Sequence, residues 1–229
     1  MDKLLEIQMS GWTATPRLPF ILSGNAICMH TPSYSLILGI IGCCLGRVVL
    51  ASELQIGFRY SYQTIARDME TRQRLENNNG KIKKHNKGSD AYIREFHTFP
   101  KLTIWLNRLD WKEYFENPCG TPSLGRSQDI LKIESVTIVD VKGIEKGKVG
   151  GTMLPFIPNL QIAGQLVQIA ESFIENDEVG MGRTPVASKV FLSVPHDNDS
   201  EVIYNNLFMK IHSEPTDSVC FYLHDFENE

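Results

Sequence analysis

The chain has 229 residues and a net charge of −4, and apolar residues make up 42% and charged residues 22% of it. These proportions are typical of a globular protein with a sizeable core and exclude a disordered or collagenous chain. The longest nearly uncharged apolar run, 36–45, is shorter than the roughly 20 residues of a membrane span. The first ten residues lack the apolar stretch of a signal peptide. We therefore expect a cytoplasmic protein with no membrane contact.

The sequence lacks the common signatures of metal, cofactor and nucleotide sites. Its five cysteines show no CxxC spacing, so neither a zinc site nor a disulfide framework is predicted. There is no GxxxxGK[ST] phosphate loop, no GxGxxG, no HExxH and no Gly-x-Ser-x-Gly, which are the motifs that would indicate such chemistry. The sequence therefore predicts no cofactor and no metal.

The charge is spread unevenly along the chain. Residues 1–170 hold 20 Lys/Arg and 15 Asp/Glu, whereas residues 171–229 hold 3 and 12. The densest basic stretch, 67–94, has eight basic residues against four acidic ones. Such a stretch is either a solvated loop or an arm that contacts nucleic-acid phosphates. Composition alone leaves both interpretations open.

The N-terminal part alternates strands with helices. The pattern predicts, in chain order, a strand at 4–9, a helix capped by Ser33 or Thr31 and ended by Gly46, strands at 54–65 and 99–106, a short helix at 110–116 and a strand at 130–141. Between the two middle strands, Asn79-Gly80 favours a type I′ hairpin turn, so the basic stretch is predicted to form two arms joined at that tip. This order is close to the split βαβ, or ferredoxin-like, order that RNA-recognition modules share.

Beyond a soft boundary near Gly150 the composition changes. Segments 186–194, 202–211 and 219–223 predict strands, while 160–174 fits a helix or a strand equally well. We therefore predict an α+β fold in two parts. Residues 1–150 form an RNA-recognition-like, ferredoxin-like core that includes a long β-hairpin thumb at 67–97, and residues 151–229 form an acidic, β-rich C-terminal region.

Four stretches together resemble the Cas-five family, the CRISPR-associated subunit that caps the 5′-handle end of crRNA in type I Cascade. They are 12–20 (WTATPRLPF), 31–46 (TPSYSLILGIIGCCLG), 94–106, and 118–127 with its Leu-Gly-Arg-Ser core. The match covers roughly residues 1–150, and the helix is most similar to the type I-B branch.

The resemblance implies a non-catalytic subunit that binds the 5′ handle of crRNA. It also implies protein partners, namely the Cascade backbone subunit that polymerises along the guide and the Cascade large subunit. The whole complex would reach target DNA, in antiviral defence or in transposon targeting. The candidate RNA-binding residues are Arg17, Tyr34, Arg47, Arg67, Lys81, Lys83, Lys84, Arg94, Gly125, Arg126 and Ser127.

The chemistry of these residue types suits single-stranded RNA. Arg17, Arg47 and Arg126 each lie beside Pro or Gly, where a loop can present a planar guanidinium to phosphate. Gly125 permits a close approach of the backbone, and Ser127 adds hydrogen-bond donors. For Arg126 the alternative is a plain turn in which it pairs with Asp129. Tyr34 and Trp12 could stack on bases, with a place in the core as the alternative for each.

Two further functions stay open. One branch of the family, in type I-C systems, is an endoribonuclease that uses Tyr, Lys and His. Here Phe96, not a Lys, precedes His97, so that triad is not recognisable, and a metal-independent nuclease would have to combine His97 with Lys101 and a Tyr. The third possibility is a structural scaffold that does not contact RNA.

Overall fold

The computed structural model describes residues 2–19, 25–175, 182–211 and 220–226. Within these ranges the chain is mostly β-strand with two α-helices, which confirms the α+β class. The elements are β1 Asp2–Gly11, β2 Thr13–Ala14, β3 Asn25–Ala26, α1 Tyr34–Leu45, β4 Gln55–Ser61, β5 Thr64–Asn78, β6 Lys81–Thr98, β7 Lys101–Leu106, α2 Lys112–Glu116, β8 Leu131–Lys148, β9 Thr152–Pro155, β10 Gln165–Glu175, β11 Arg183–Val194, β12 Glu201–Lys210 and β13 Cys220–Asp225.

Six strands close into a barrel in the order β1-β7-β4-β13-β12-β8, and all neighbours are antiparallel. Four consecutive members, β8-β1-β7-β4, come from the N-terminal part, with α1 between β1 and β4 and α2 between β7 and β8. The remaining two, β12 and β13, belong to the predicted C-terminal region. They complete the barrel by pairing with β8 and β4. The division near residue 150 remains a prediction.

Helix α1 forms where the sequence predicts it. The Ser33 hydroxyl accepts a hydrogen bond from the Leu36 N–H at 3.2 Å, and Gly46 ends the helix in a left-handed conformation (φ 70°). Both are favoured capping residues at those positions. Ile37 and Ile41 are fully buried in the main core. This packing fixes the first turn of α1 beside the candidate site described below.

The basic stretch forms the predicted hairpin, which begins at Thr64. Strands β5 and β6 are 15 and 18 residues long. At the tip, Asn79 and Gly80 have positive φ angles of 51° and 80°, as a type I′ turn requires. Strands β2 and β3 pair with β6 only near its root, at residues 93–98. The outer half of the hairpin therefore projects from the body as a two-stranded ribbon.

The segment that the sequence left undecided is a strand. Residues 165–175 form β10, which pairs with β11, and β11 pairs with β9. Val167 and Ile169 of β10 join the core that also contains α1. This small sheet consequently forms one wall of the space at the first turn of α1. No helix of the described residues is long and apolar enough to cross a membrane.

Candidate nucleic-acid interface

Four arginines from distant parts of the chain line one cavity of about 500 Å³. Arg17 follows β2, Arg94 lies at the root of the hairpin, Arg126 lies in the loop before β8, and Arg183 begins β11. We call this cavity the arginine cleft. Its other lining residues are Thr15, Met29, Ser33, Ser35, Leu36, Gly125 and Phe173. None of the described residues that line it is acidic, so the cleft favours an anionic ligand.

Two carboxylates behind the cleft hold two of these arginines in place. Arg126 donates from Nε and Nη2 to Asp129, at 3.0 and 2.9 Å, and from Nη1 to Glu70 at 2.8 Å. Arg94 Nε lies 2.7 Å from the same Glu70 oxygen. The pairing of Arg126 with Asp129 is the turn alternative that the sequence left open. Arg126 therefore reaches the cleft with its guanidinium already bound to carboxylates.

Both carboxylates stay ionised at neutral pH. Burial acts to raise the pKa of Asp129, but hydrogen bonds from Arg126, Thr13 and Thr15 hold it below its ordinary value. Burial likewise opposes ionisation of Glu70, whose pKa is nevertheless lowered by hydrogen bonds from neighbouring Tyr and Arg side chains. The charges of Arg94 and Arg126 are thus largely balanced. Arg183 also pairs with a carboxylate, because its Nη2 lies 3.3 Å from Glu175 and both side chains are more than half exposed.

The loop at Gly125 is built against the strand that leads to Arg17. Gly125 has φ 111°, and a Cβ atom there would lie only 2.3 Å from the carbonyl oxygen of Thr15. The Thr15 N–H donates to Leu124 O at 2.9 Å, and the hydroxyls of Thr13 and Thr15 donate to Asp129 at 2.6 and 2.7 Å. Glycine is thus needed at 125 for the loop to pack closely enough to carry Arg126 to the cleft.

The first turn of α1 adds further polar groups to the cleft. Ser33, Ser35 and Leu36 line it, and the two serine hydroxyls lie 2.9 Å apart. The N-terminal end of a helix carries a partial positive charge because its first N–H groups lack intrahelical partners. The partial positive charge of this helix end therefore adds to that of the arginines around it and favours an anionic ligand.

An apolar compartment of about 400 Å³ adjoins the arginine cleft. The two spaces share Arg17, Met29, Ser33, Ser35 and Phe173, and the compartment is completed by Pro19, Ile169, Ala170, Pro185 and Ser188. A charged mouth leading into an apolar space suits a nucleotide. The phosphate would remain among the guanidinium groups while the unstacked base enters between apolar side chains.

Tyr34 lies in the core, which was the alternative to a stacking role. Its side chain is 1% exposed, its hydroxyl donates to Met153 O at 2.6 Å, and its ring stacks on His224 with centroids 4.1 Å apart. Burial on this scale leaves no ring face for an RNA base. The prediction that Tyr34 contacts RNA is therefore corrected to a packing role.

The other predicted RNA-binding residues are not brought to the cleft. Arg47 lies at the far end of α1 and forms two hydrogen bonds with Glu53, at 2.9 and 2.6 Å. Arg67 pairs with Glu95 at 3.0 Å on the hairpin. The three lysines Lys81, Lys83 and Lys84 are exposed at the hairpin tip, and Ser127 is exposed on its loop without lining the cleft.

His97, the histidine of the nuclease alternative, is buried. The side chain is fully shielded from solvent, with Nδ1 2.8 Å from the Tyr60 hydroxyl and the ring stacked on Tyr62 at 3.7 Å. Burial, reinforced by His30 and His196, lowers the pKa of His97 to about 3. In this position His97 is a neutral core residue at pH 7, and RNA cannot reach it.

Phe173 and Arg183 are among the lining residues that sequence reasoning missed. Both lie in the acidic C-terminal region, which holds only three Lys or Arg residues among residues 171–229. The other two, Lys189 and Lys210, pair with the buried carboxylates of Glu171 and Glu6, whereas the pair of Arg183 with Glu175 is exposed. The scarcity of basic residues in this region was the signal that could have singled out Arg183.

No cluster that could hold a metal ion, meaning three or more His, Cys, Asp or Glu side chains, is found in the part of the chain that the structure describes. The five cysteines are unpaired thiols, and burial raises the pKa of Cys28 and Cys44 to about 12. The described residues thus bring together guanidinium groups and apolar walls, not metal ligands.

No protein-family model matches the chain, and no curated protein matches it. Among solved structures, it is similar to a chain of a "CRISPR RNA-guided surveillance complex", with 14% identity, a TM-score of 0.56, and coverage of 84% of this chain and 90% of that one. A chain of a Type III-B Cmr-beta complex bound to cognate target RNA gives 12% identity, a TM-score of 0.48 and 88% and 86% coverage. A CRISPR protein from Archaeoglobus fulgidus gives 8% identity, a TM-score of 0.45, and coverage of 95% of this chain and 98% of that one. The first of these shows a shared fold.

Proposed function

We propose that this chain is a non-catalytic subunit of a CRISPR RNA-guided complex, of the Cas-five type, which binds and caps the 5′ handle of crRNA. The arginine cleft carries this proposal. It combines four guanidinium groups, the first turn of a helix and an apolar compartment, and these are the features that hold the phosphates and splayed bases of single-stranded RNA.

The topology supports the same proposal. The strand order β8-β1-β7-β4, with one helix after β1 and one after β7, is the order of the split βαβ fold, and this fold underlies RNA-recognition modules. The shared fold with a chain of an RNA-guided surveillance complex agrees with it. We assign the projecting hairpin β5–β6 as the thumb.

The finer features of the proposal follow from the resemblance. The chain would belong to a type I-B Cascade in the cytoplasm, next to the backbone subunit and the large subunit, and would meet target DNA through the complex. The burial of His97 favours binding without cutting over the endoribonuclease alternative. A separate nuclease would then process the crRNA.

Incubation of the purified full chain with repeat RNA in EDTA tests this function. We expect salt-sensitive binding of a handle-containing strand, because phosphate contacts release counterions, and we expect the RNA to stay intact. Specific cleavage that is lost in His97→Ala would establish the nuclease alternative. A complete lack of binding at low salt would leave only the scaffold role.

A further inference from the structure

Trp12 and Phe99 form an exposed aromatic pair. Their side chains are 79% and 51% exposed, and their ring centroids lie 5.7 Å apart with an interplanar angle of 46°. The other two tryptophans, Trp105 and Trp111, are buried. The two rings in contact form an exposed aromatic patch that a ligand or a partner can cover.

The backbone that presents this pair is strained. Phe99 has φ 47°, a left-handed conformation that costs a residue with a side chain roughly 1–2 kcal/mol. Two hydrogen bonds hold it there, from Phe99 N–H to Trp12 O at 2.9 Å and from Gly11 N–H to Pro100 O at 3.0 Å. Burial of the two rings does not offset the energetic cost of this strain, because both rings remain exposed. Strain of this kind is concentrated at functional positions.

Trp12 is connected to the arginine cleft by one short, pinned segment. From Trp12 the chain continues through β2 to Arg17, which lines the cleft. Arg17 forms an isolated antiparallel β-bridge with Cys28. The hydroxyls of Thr13 and Thr15 both bind Asp129, so the loop of Arg126 lies alongside. Five residue steps of extended chain span at most about 17 Å. A short single strand bound in the cleft can therefore reach Trp12.

We propose that Trp12, supported by Phe99, is a stacking platform for one base of the RNA strand whose phosphate binds in the arginine cleft. This inference rests on the proposed function and adds a second contact point to it. A nucleic-acid ligand is favoured over a protein one because the pinned segment leads directly to clustered guanidinium groups. Aromatic side chains contribute about 1–3 kcal/mol per stacked base without reading its sequence.

Tryptophan fluorescence measures this contact directly, because Trp12 is exposed while Trp105 and Trp111 are buried. Iodide should quench the emission of Trp12 alone in the unbound protein. A single-stranded RNA of about ten nucleotides, within the site sizes of single-strand-binding folds, should abolish that quenching as it binds. The RNA-induced emission change should vanish in Trp12→Phe.

Binding of the same RNA by anisotropy provides the second readout. Trp12→Ala should weaken it about 5- to 150-fold, the loss of one stacked base, whereas Trp12→Phe should retain most of the affinity. Ile203→Ala, at a residue that is 74% exposed on β12, serves as the matched control and should bind like the wild type.

The outcomes separate this inference from the proposed function. If the wild type binds RNA while Trp12 stays accessible to iodide and Trp12→Ala binds equally well, the stacking role is overturned and the pair is left to a protein partner, but the RNA-binding function stands. If the wild type binds no RNA at all, both proposals fail. Protection of Trp12 together with weaker binding by Trp12→Ala supports both.

Discussion

Arg126 covers the buried carboxylate of Asp129 with two hydrogen bonds of 3.0 and 2.9 Å, and Asp129 is itself fully shielded from solvent. The same carboxylate accepts hydrogen bonds from the hydroxyls of Thr13 and Thr15. The pair therefore ties the loop before β8 to the segment that leads to Arg17. This tie sets the positions of two arginines at once, and the geometry of the cleft depends on it.

Replacement of Arg126 by Ala should destabilise the protein. The substitution leaves a buried carboxylate without its cation, a change that costs about 3 kcal/mol when a buried pair loses one member. Denaturant unfolding measures the effect. The double variant Arg126→Ala, Asp129→Asn should recover part of the loss because the orphaned charge is gone. A single variant within about 0.5 kcal/mol of the wild type, as for an ordinary surface change, would contradict a structural role for the pair.

Replacement of Gly125 by Ala should also destabilise the protein and disturb the cleft. The added Cβ would lie 2.3 Å from Thr15 O, so the loop must move away from the segment that follows β2. The alanine must also adopt a backbone conformation with positive φ, which disfavours a residue with a side chain. Gly80→Ala is the matched control, since its φ is 80° but nothing lies within 4 Å of the added atom. We expect Gly125→Ala to lose more unfolding free energy than the control. Equal losses would show that only backbone strain matters.

The stability of the protein should fall as the pH drops from about 6.5 towards 3. His97 stays neutral in the folded state down to a pKa of about 3, whereas in the unfolded chain it takes up a proton near 6.5. The unfolded state then binds the extra proton, so the free energy of unfolding decreases by up to about 1.4 kcal/mol per pH unit across this window.

Thermal or denaturant unfolding at pH 7 and pH 5 tests the contribution of His97. His97→Gln keeps a polar side chain beside Tyr60 but cannot take up a proton, so its stability should depend less steeply on pH. His30 and His196 lie close enough to affect His97 and are left unchanged in both proteins. The same slope for the variant and the wild type would assign the pH dependence to other groups.

Removal of Lys81, Lys83 and Lys84 together should flatten the salt dependence of RNA binding without changing stability. These side chains are exposed at the tip of the hairpin, and each phosphate contact to a single strand contributes about 0.7 log units to the salt slope. The triple variant should therefore lose up to about three such contributions. Lys3, Lys142 and Lys146, all exposed on the barrel strands, provide the control set. An equal change in the salt slope for both sets would show that the tip lysines do not contact RNA phosphates.

Features with local signals were predictable from the sequence. Ser33 and Gly46 mark the ends of α1, and Asn79-Gly80 marks the turn of the hairpin, because capping and tight turns depend on a few neighbouring residues. Closure of the barrel was not predictable. β8 pairs with β12 across some sixty residues, and no local pattern encodes that register.

The same distinction explains the site. Arg17 and Arg126 were identified because Pro and Gly beside them indicate loops. Arg183 reaches the cleft only because β11 pairs with β10, which packs on α1. Tyr34 and Trp12 were equivalent candidates in the sequence. Tertiary packing then buried Tyr34 beside His224 and left Trp12 in solvent, and neither outcome follows from neighbouring residues.

The affinity of a cleft variant for handle RNA tests the central claim most directly. Arg17 and Arg183 both line the cleft, and the ion pair of Arg183 with Glu175 is exposed, so its loss should cost little stability. Circular dichroism establishes that Arg17→Ala, Arg183→Ala is folded before its affinity is measured. Each lost charge-assisted hydrogen bond costs about 1.5–3 kcal/mol, and binding should weaken at least about tenfold. Arg59→Ala, Lys142→Ala removes two exposed charges elsewhere and should stay within about twofold of the wild type. Wild-type affinity in the folded cleft variant would contradict RNA binding in the arginine cleft.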